Sequence, residues 1–166
     1  MMLETDPRKW KEIFTSTLPV LGHRNWIVIA DSAYPLQIAP GIETLVTGTD
    51  QIRVIREVLA QLDEVSHVRA IPYMDAELNF VSEQHAPGIL NYRKEISHML
   101  KNSEVRFLPH EAILRKLGDA GKDFRILLLK TTLTLPYTSL FLELDCGYWS
   151  MSAEEELRET MAKKQQ

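Results

Sequence analysis

The sequence predicts a single α/β domain of three layers, with a central, mostly parallel or mixed sheet and helices on both faces. A continuous apolar stretch at 26–30 and an almost uninterrupted one at 124–129 are typical of strands that are buried on both faces. Around them, stretches with a 3.6-residue apolar period alternate with short strand-like stretches. The 166 residues contain no repeat or low-complexity linker, and this length suits one hydrophobic core.

Four helices are predicted by apolar residues that recur every three or four positions and by residues that suit helix starts. Asp6 precedes a proline in the first turn of the first helix, and Asp50 can cap the second. Charged residues lie opposite the apolar face of the second helix, as expected for a helix that covers a sheet. The predicted helices cover residues 6–19, 50–62, 89–102 and 109–118.

The strands are short, and one region between them fits two structures. Residues 74–88 fit either a helix that Pro87 breaks or an ordered loop. Pro72 weakens the end of the strand before this region, because proline donates no hydrogen bond to a neighbouring strand. The predicted strands cover residues 26–30, 44–47, 65–73, 105–108, 124–129 and 139–144.

Residues 1–150 are expected to form the domain, and residues 151–166 a helical C-terminal extension. Three glutamates in the first turn of this extension and two lysines in its last turn suit the helix dipole. It has few apolar residues, so we expect it to lie exposed on the surface.

Composition excludes several classes of function. A net charge of −4 lacks the excess of cations that binding to nucleic acid needs. No apolar run is long enough to cross a membrane, and the first residues do not resemble a secretory signal, so a cytoplasmic location is expected. Cys146 is the single cysteine, which excludes an internal disulfide and a thiolate-rich metal site. The common phosphate-binding, nucleotide-binding and zinc-protease motifs are absent from the sequence.

Candidate functional residues stand at the ends of predicted strands. Asp31 directly follows the first buried strand, and ligands of α/β sheets usually bind at the carboxyl ends of strands. His23 lies just before that strand, and His110 lies where a helix follows another strand. His67 and His98 are interpreted as structural, whereas His85 lies beside the open region and could belong to a site loop. Residues 137–139 alone indicate only a turn that enters a strand.

Three segments together resemble the D-ribose pyranase/L-fucose mutarotase family. Leu-Gly-His at 21–23, with Asp31 eight residues after the histidine and then Pro35, is similar to the family's first motif. Pro-His-Glu at 109–111 resembles a segment of the ribose branch. Pro-Tyr-Thr-Ser at 136–139 resembles the family's Pro-Tyr-Ala-Asn or Tyr-Gly-Asn segment. The three segments follow in the family's order within residues 10–145.

The resemblance implies an isomerase that interconverts the anomers, or the pyranose and furanose forms, of a free aldose such as ribose or fucose. It implies that His23 is the acid/base residue, with no metal or other cofactor, and a homo-oligomer, often a ring-shaped decamer, with sites between subunits. It implies that the sugar is bound by Asp31, His110, Tyr137, Thr138 and Ser139. Ser139 replaces the usual asparagine, and residues 152–166 have no family counterpart.

The residue types suit this chemistry. Anomer exchange removes a proton from the anomeric hydroxyl and protonates the ring oxygen, and an imidazole with an ordinary pKa of about 6.5 can do both. The replacement at Ser139 leaves a second hypothesis open, a non-catalytic sugar-binding or scaffold protein of the same fold. A third hypothesis assigns an unrelated small ligand to residues 74–88.

The spacing of His23 and Asp31 along the chain limits how both residues could contact one sugar. Eight extended residues at roughly 3.3 Å each would separate them by about 26 Å, too far to flank one monosaccharide. Either the turn around residues 22–25 folds back, or the site is completed across a subunit contact.

Overall fold

The computed structural model, which describes residues 2–165, contains a mixed seven-stranded sheet and five α-helices. The strands are β1 (Met2–Glu4), β2 (Trp26–Ala30), β3 (Ile42–Val46), β4 (Val68–Asp75), β5 (Arg106–Leu108), β6 (Ile126–Lys130) and β7 (Leu140–Cys146). The helices are α1 (Trp10–Thr17), α2 (Gln51–Glu64), α3 (Ile89–Met99), α4 (His110–Asp123) and α5 (Met151–Lys164), with short 3-10 helices at Leu18–Val20 and Ala76–Phe80. The predicted α/β fold class is confirmed.

The strand order of the sheet is β1-β3-β6-β2-β7-β4-β5. All neighbouring strands pair in parallel except β7, which is antiparallel to both β2 and β4. β1, a three-residue edge strand that pairs with β3, was not predicted from the sequence. The two strongest strand predictions, β2 and β6, pair with each other in the middle of the sheet.

Helices cover the sheet on both faces. Successive side chains of a strand point to opposite faces, and in β2 these faces have different partners. Ile27 and Ile29 belong to an apolar cluster with residues of α1, α2 and α3, whereas Trp26 and Val28 belong to a second cluster with residues of α4. Every residue of β2 is buried, which explains its uninterrupted apolar sequence.

β4 extends beyond the predicted end at residue 73. Pro72 faces Leu142 of β7, and the strand continues because residues 73–75 pair with β5. The start also moves, from the predicted residue 65 to Val68, since α2 continues to Glu64. Asp75 is therefore the last residue of a central strand. Residues 76–88 form the second 3-10 helix and a turn-rich loop, which agrees with the loop interpretation of this region.

The prediction that the helix starting at residue 109 stops at Gly118 is wrong. α4 continues to Asp123, because its second glycine packs closely against the start of β3. A Cβ atom at Gly121 would lie 3.0 Å from the Ala39 side chain and 3.1 Å from that of Ile42. Tertiary packing thus outweighs the low helix propensity of glycine.

α5 begins where the C-terminal extension was expected. The Ser150 side chain accepts a hydrogen bond from the backbone N–H of Ala153 and so caps the helix, and none of its residues is buried. The division into a domain of residues 1–150 and an extension of 151–166 stays a prediction. No helix within residues 2–165 has the length and apolar character needed to cross a membrane.

Two glycine substitutions test the contact between α4 and β3. We expect Gly118→Ala to raise the free energy of unfolding by about 0.5–1 kcal/mol, since a Cβ atom there meets no atom within 4 Å. Gly41→Ala should lower it by more than about 1 kcal/mol, because the new Cβ would collide with the backbone oxygen of Phe124. Chemical denaturation of both variants measures the difference. Equal stability of the two variants would contradict this packing.

Candidate active site at the carboxyl edge of the sheet

The strand register brings three polar residues to one edge of the sheet. Leu140 of β7 pairs with Ile29 of β2 on one side and with Met74 of β4 on the other. Ser139, just before β7, therefore lies between Asp31, just after β2, and Asp75, the last residue of β4. The central antiparallel strand thus contributes its amino end to an edge where its parallel neighbours contribute their carboxyl ends.

Ser139 holds the carboxylate of Asp31 in place. Its hydroxyl donates to Asp31 Oδ1 at 2.8 Å and accepts from the Asp31 backbone N–H at 3.2 Å. Ser139 is buried, while Asp31 is partly exposed. The serine hydroxyl supports Asp31 from behind and leaves the other carboxylate oxygen open to a ligand.

Thr138 is fixed by a buried polar network. Its carbonyl oxygen accepts hydrogen bonds from Tyr92 Oη and from Gln51 Nε2, each at 2.6 Å. Its own hydroxyl donates to the carbonyl of Leu135 at 2.7 Å. Burial raises the pKa of Tyr92, which keeps the phenol protonated as a donor. Thr138 is fully buried, so its contribution to the site is to set the backbone that carries its two neighbours.

His110 pairs with Asp75 at the start of α4. Its ring Nδ1 lies 2.9 Å from Asp75 Oδ2, and its backbone N–H donates to both carboxylate oxygens of Glu77, at 3.0 and 3.1 Å. Pro109 offers no side-chain cap, so Glu77 satisfies the first N–H of the helix from a separate element. The side chain of His110 is 24% exposed, whereas that of Asp75 is 1% exposed. The imidazole therefore connects a buried carboxylate with the open edge.

The surroundings of Asp75 favour its protonated form. Burial raises the pKa of Asp75 from an ordinary 3.8 to about 6, His110 partly offsets this rise, and the charges of Glu77 and Asp31 add to it. Asp75 Oδ1 has no hydrogen-bond partner among the residues that the structure describes. A buried carboxylate with one unpaired oxygen is costly when ionised.

Two tyrosines complete the edge. Tyr137 is 40% exposed, and its ring meets that of His110 edge to face, with ring centroids 5.6 Å apart. Tyr137 has a positive φ of 58°, a conformation that turns the chain just before β7. Tyr34 is buried, donates to Gln37 Oε1 and accepts from Lys130 Nζ through its backbone oxygen. Burial, with the charges of Asp75 and Asp31, raises the pKa of Tyr34.

His23 lies at the opposite end of β2. Its Nδ1 is 3.0 Å from Asp145 Oδ1, and the other oxygen of Asp145 accepts two hydrogen bonds from Arg69. Burial alone would raise the pKa of Asp145, but hydrogen bonds from Arg69, the Cys146 backbone and His23 lower it overall. A cavity of about 580 Å³ lies beside this group and reaches the start of α5. The turn at residues 22–25 thus does not fold back to bring His23 to Asp31.

The edge therefore joins Asp31, His110 and Tyr137, with Thr138 and Ser139 behind them, and separates them from His23. Sequence reasoning missed Asp75 and Glu77, because Pro72 suggested an earlier strand end. Asp75 could have been found from the sequence in the same way as Asp31, as a carboxylate at the end of a predicted strand. In residues 2–165, no three histidine, cysteine or carboxylate side chains are grouped to hold a metal ion.

The other histidines have different surroundings. His67 Nε2 contacts the carbonyl oxygens of Leu18 and Leu21, at 3.2 and 3.1 Å, which is a structural role. His85 and His98 are exposed.

The sequence matches neither a protein-family model nor a curated protein. Solved structures do match. RbsD from Bacillus subtilis, solved with D-ribose, is 21% identical with a TM-score of 0.55, over 80% of this chain and 91% of RbsD. The fucose mutarotase from Streptococcus pneumoniae, solved with L-fucose, is 19% identical with a TM-score of 0.53, over 78% of this chain and 89% of its own. FucU from Bifidobacterium longum is 15% identical with a TM-score of 0.55, over 81% of this chain and 94% of its own.

The chain shares their fold. The family resemblance stated from three sequence segments is thereby confirmed at the level of the fold. The matches cover 89–94% of the solved proteins and 78–81% of this chain, so the likeness extends over most of the fold rather than one supersecondary unit.

The buried carboxylate gives a pH-dependent stability. A carboxyl group whose pKa is raised by folding stabilises the protein fully below its unfolded pKa, near 3.8, and loses that contribution as the pH rises through about 6. We expect the free energy of unfolding of the wild type to fall relative to Asp75→Asn between pH 4 and pH 8. Denaturant titration at several pH values measures this, and a difference that does not change with pH would contradict it.

Proposed function

We propose that the protein is a monosaccharide mutarotase or pyranase of the D-ribose pyranase/L-fucose mutarotase family. It is an isomerase that interconverts the anomers, or the pyranose and furanose forms, of a free aldose. The observation that carries the proposal is the carboxyl-edge group of Asp31, His110 and Tyr137 on a fold shared with proteins solved with D-ribose and L-fucose. The expected cytoplasmic location stays a prediction.

The sugar binds across this edge. Asp31 accepts hydrogen bonds from sugar hydroxyls through the oxygen that Ser139 does not hold. His110 offers a ring nitrogen, and the half-exposed ring of Tyr137 can cover an apolar face of the sugar or donate from its hydroxyl. Thr138 and Ser139 contribute by fixing the segment and the Asp31 carboxylate.

His23 supplies proton transfer from a neighbouring subunit. It lies at the amino end of β2, beside Asp145, whereas Asp31 follows the carboxyl end of the same strand. Because an extended five-residue strand alone spans roughly 16 Å, one subunit cannot place both groups on one monosaccharide. A head-to-tail contact brings the His23 end of one copy to the carboxyl edge of the next and closes into a ring, such as a decamer.

A second candidate function is sugar binding without catalysis. The Ser139 hydroxyl is committed to Asp31, so the position that carries an amide in the family offers no free polar group to the sugar. Such a protein would bind an aldose at the same edge but would not accelerate its exchange.

Exchange NMR separates the two candidates. We expect the wild type to accelerate anomer exchange for at least one sugar of a panel that includes ribose and fucose. His23→Ala should lower the rate by on the order of 10²–10⁴-fold, the usual contribution of positioned acid–base catalysis. His98→Ala, at an exposed helix position, is the matched control and should keep the wild-type rate. Saturation transfer without acceleration for any sugar would favour the binding protein.

Mixed oligomers test the shared site. We expect His23→Ala and Asp31→Ala to be inactive separately and to regain about a quarter of the wild-type activity when they are refolded together in equal amounts. This fraction follows because random assembly joins an intact His23 to an intact Asp31 at one interface in four. The same exchange assay measures the recovery. Absence of recovery from mixed oligomers of wild-type size would contradict a site between subunits.

A further inference from the structure

We propose that His110 is the second proton-transfer group of the sugar site and that Asp75 is the residue that positions it and sets its tautomer. The inference rests on the proposed function, and it assigns His110 a role beyond contact with the sugar. It also gives a role to Asp75, which none of the three family-like segments includes.

The reaction includes two proton transfers, so a second proton-transfer group can take part. Ring opening forms a carbonyl as the anomeric O–H loses its proton and the bond from the anomeric carbon to the ring oxygen breaks, while the ring oxygen gains a proton. One base and one acid acting together avoid a charged intermediate. His110 takes the hydroxyl proton, and His23 donates a proton to the ring oxygen. Ring closure reverses both transfers, so no proton is gained or lost overall.

The pairing with Asp75 leaves one nitrogen of His110 available to the sugar. Above its pKa of about 6, Asp75 is ionised and only accepts hydrogen bonds, so at pH 8 Nδ1 of His110 carries the hydrogen that Asp75 Oδ2 accepts at 2.9 Å. Nε2 then has a free lone pair, and no hydrogen-bond partner is found for it in residues 2–165. This is the tautomer that a base at the open edge needs.

Separate contacts hold the backbone and the ring of His110. Glu77 holds the His110 backbone N–H with both carboxylate oxygens, and the Tyr137 ring lies edge to face against the imidazole. His110 is also the first residue of α4, so its backbone is fixed by the helix. Positioned groups of this kind act without reorganisation when the substrate arrives.

The buried carboxylate of Asp75 has His110 as its side-chain hydrogen-bond partner. Asp75 is 1% exposed, and its second oxygen is unpaired within the described part of the chain. The groups around the pair are Asp31 and Glu77, which are acidic, and the phenols of Tyr34 and Tyr137. Two further carboxylates disfavour a bare negative charge on Asp75, and His110 beside it partly offsets this repulsion.

Tautomer measurement tests the pair without any activity. In the wild type at pH 8, the imidazole ¹⁵N shifts of His110 should report hydrogen on Nδ1. In Asp75→Asn the amide can also donate to Nδ1, so hydrogen on Nε2 should become populated. Asp119→Asn, an exposed position of the same helix, is the control and should keep the wild-type shifts. Hydrogen on Nε2 in the wild type would overturn the proposal even if the Asp75 variant failed to fold.

Kinetics test the role in the reaction. Asp75→Asn should lower kcat by about 10-fold to 10²-fold, part of the usual acid–base contribution, with little change in KM. The limb of the kcat profile that falls below neutral pH should move, whereas Asp119→Asn should keep both the rate and the profile. A folded Asp75→Asn variant with wild-type kcat and pH profile would refute the proposal. No acceleration by the wild type would instead refute the proposed function and leave the tautomer result as a test of the pair.

Discussion

The rest of the structure depends on the position of β7, a single antiparallel strand between two parallel ones. Pairing of β7 with both β2 and β4 fixes Ser139 between Asp31 and Asp75 at one edge of the sheet. At its other end the same strand leads to Asp145, which holds His23. Because hydrogen bonds of a ladder fix the register along its whole length, both polar groups are placed by one set of backbone contacts.

Burial gives the carboxyl edge its chemistry. Asp75 is 1% exposed beside the start of α4, and its second oxygen has no hydrogen-bond partner among residues 2–165. Asp31, by contrast, is partly exposed and holds a hydroxyl donor of its own. Two carboxylates at the same edge thus have different surroundings, since Asp31 pairs with a serine hydroxyl while burial raises the pKa of Asp75, which pairs with an imidazole.

Much of the fold followed from local patterns in the sequence. β2 and β6 were predictable because strands buried on both faces need continuous apolar residues, and α2 because its apolar period and Asp50 cap agree. The end of β4 was not predictable in this way, since pairing of residues 73–75 with β5 decides it and this contact is distant in sequence. The same distant contact explains why Asp75 was missed, whereas Asp31, at the end of an unmistakable strand, was found.

The candidate site was predicted as a set of residues, but its geometry was not. The sequence placed His23 and Asp31 at the two ends of one strand. It left open whether a turn would bring the two side chains close together. The structure shows that the turn instead directs His23 to Asp145.

The two ends of the sheet differ in the charged side chains that they carry. Carboxylates dominate the carboxyl edge, and the ammonium group of Lys130 there is engaged by the backbone oxygen of Tyr34. The His23 end carries more cations than anions, since Arg24, Arg69 and Arg158 line the cavity beside the imidazole together with two carboxylates, Asp145 and Glu154. Opposite charges favour contact between unlike ends of two copies, which is the contact that would complete an acid and a base around one sugar.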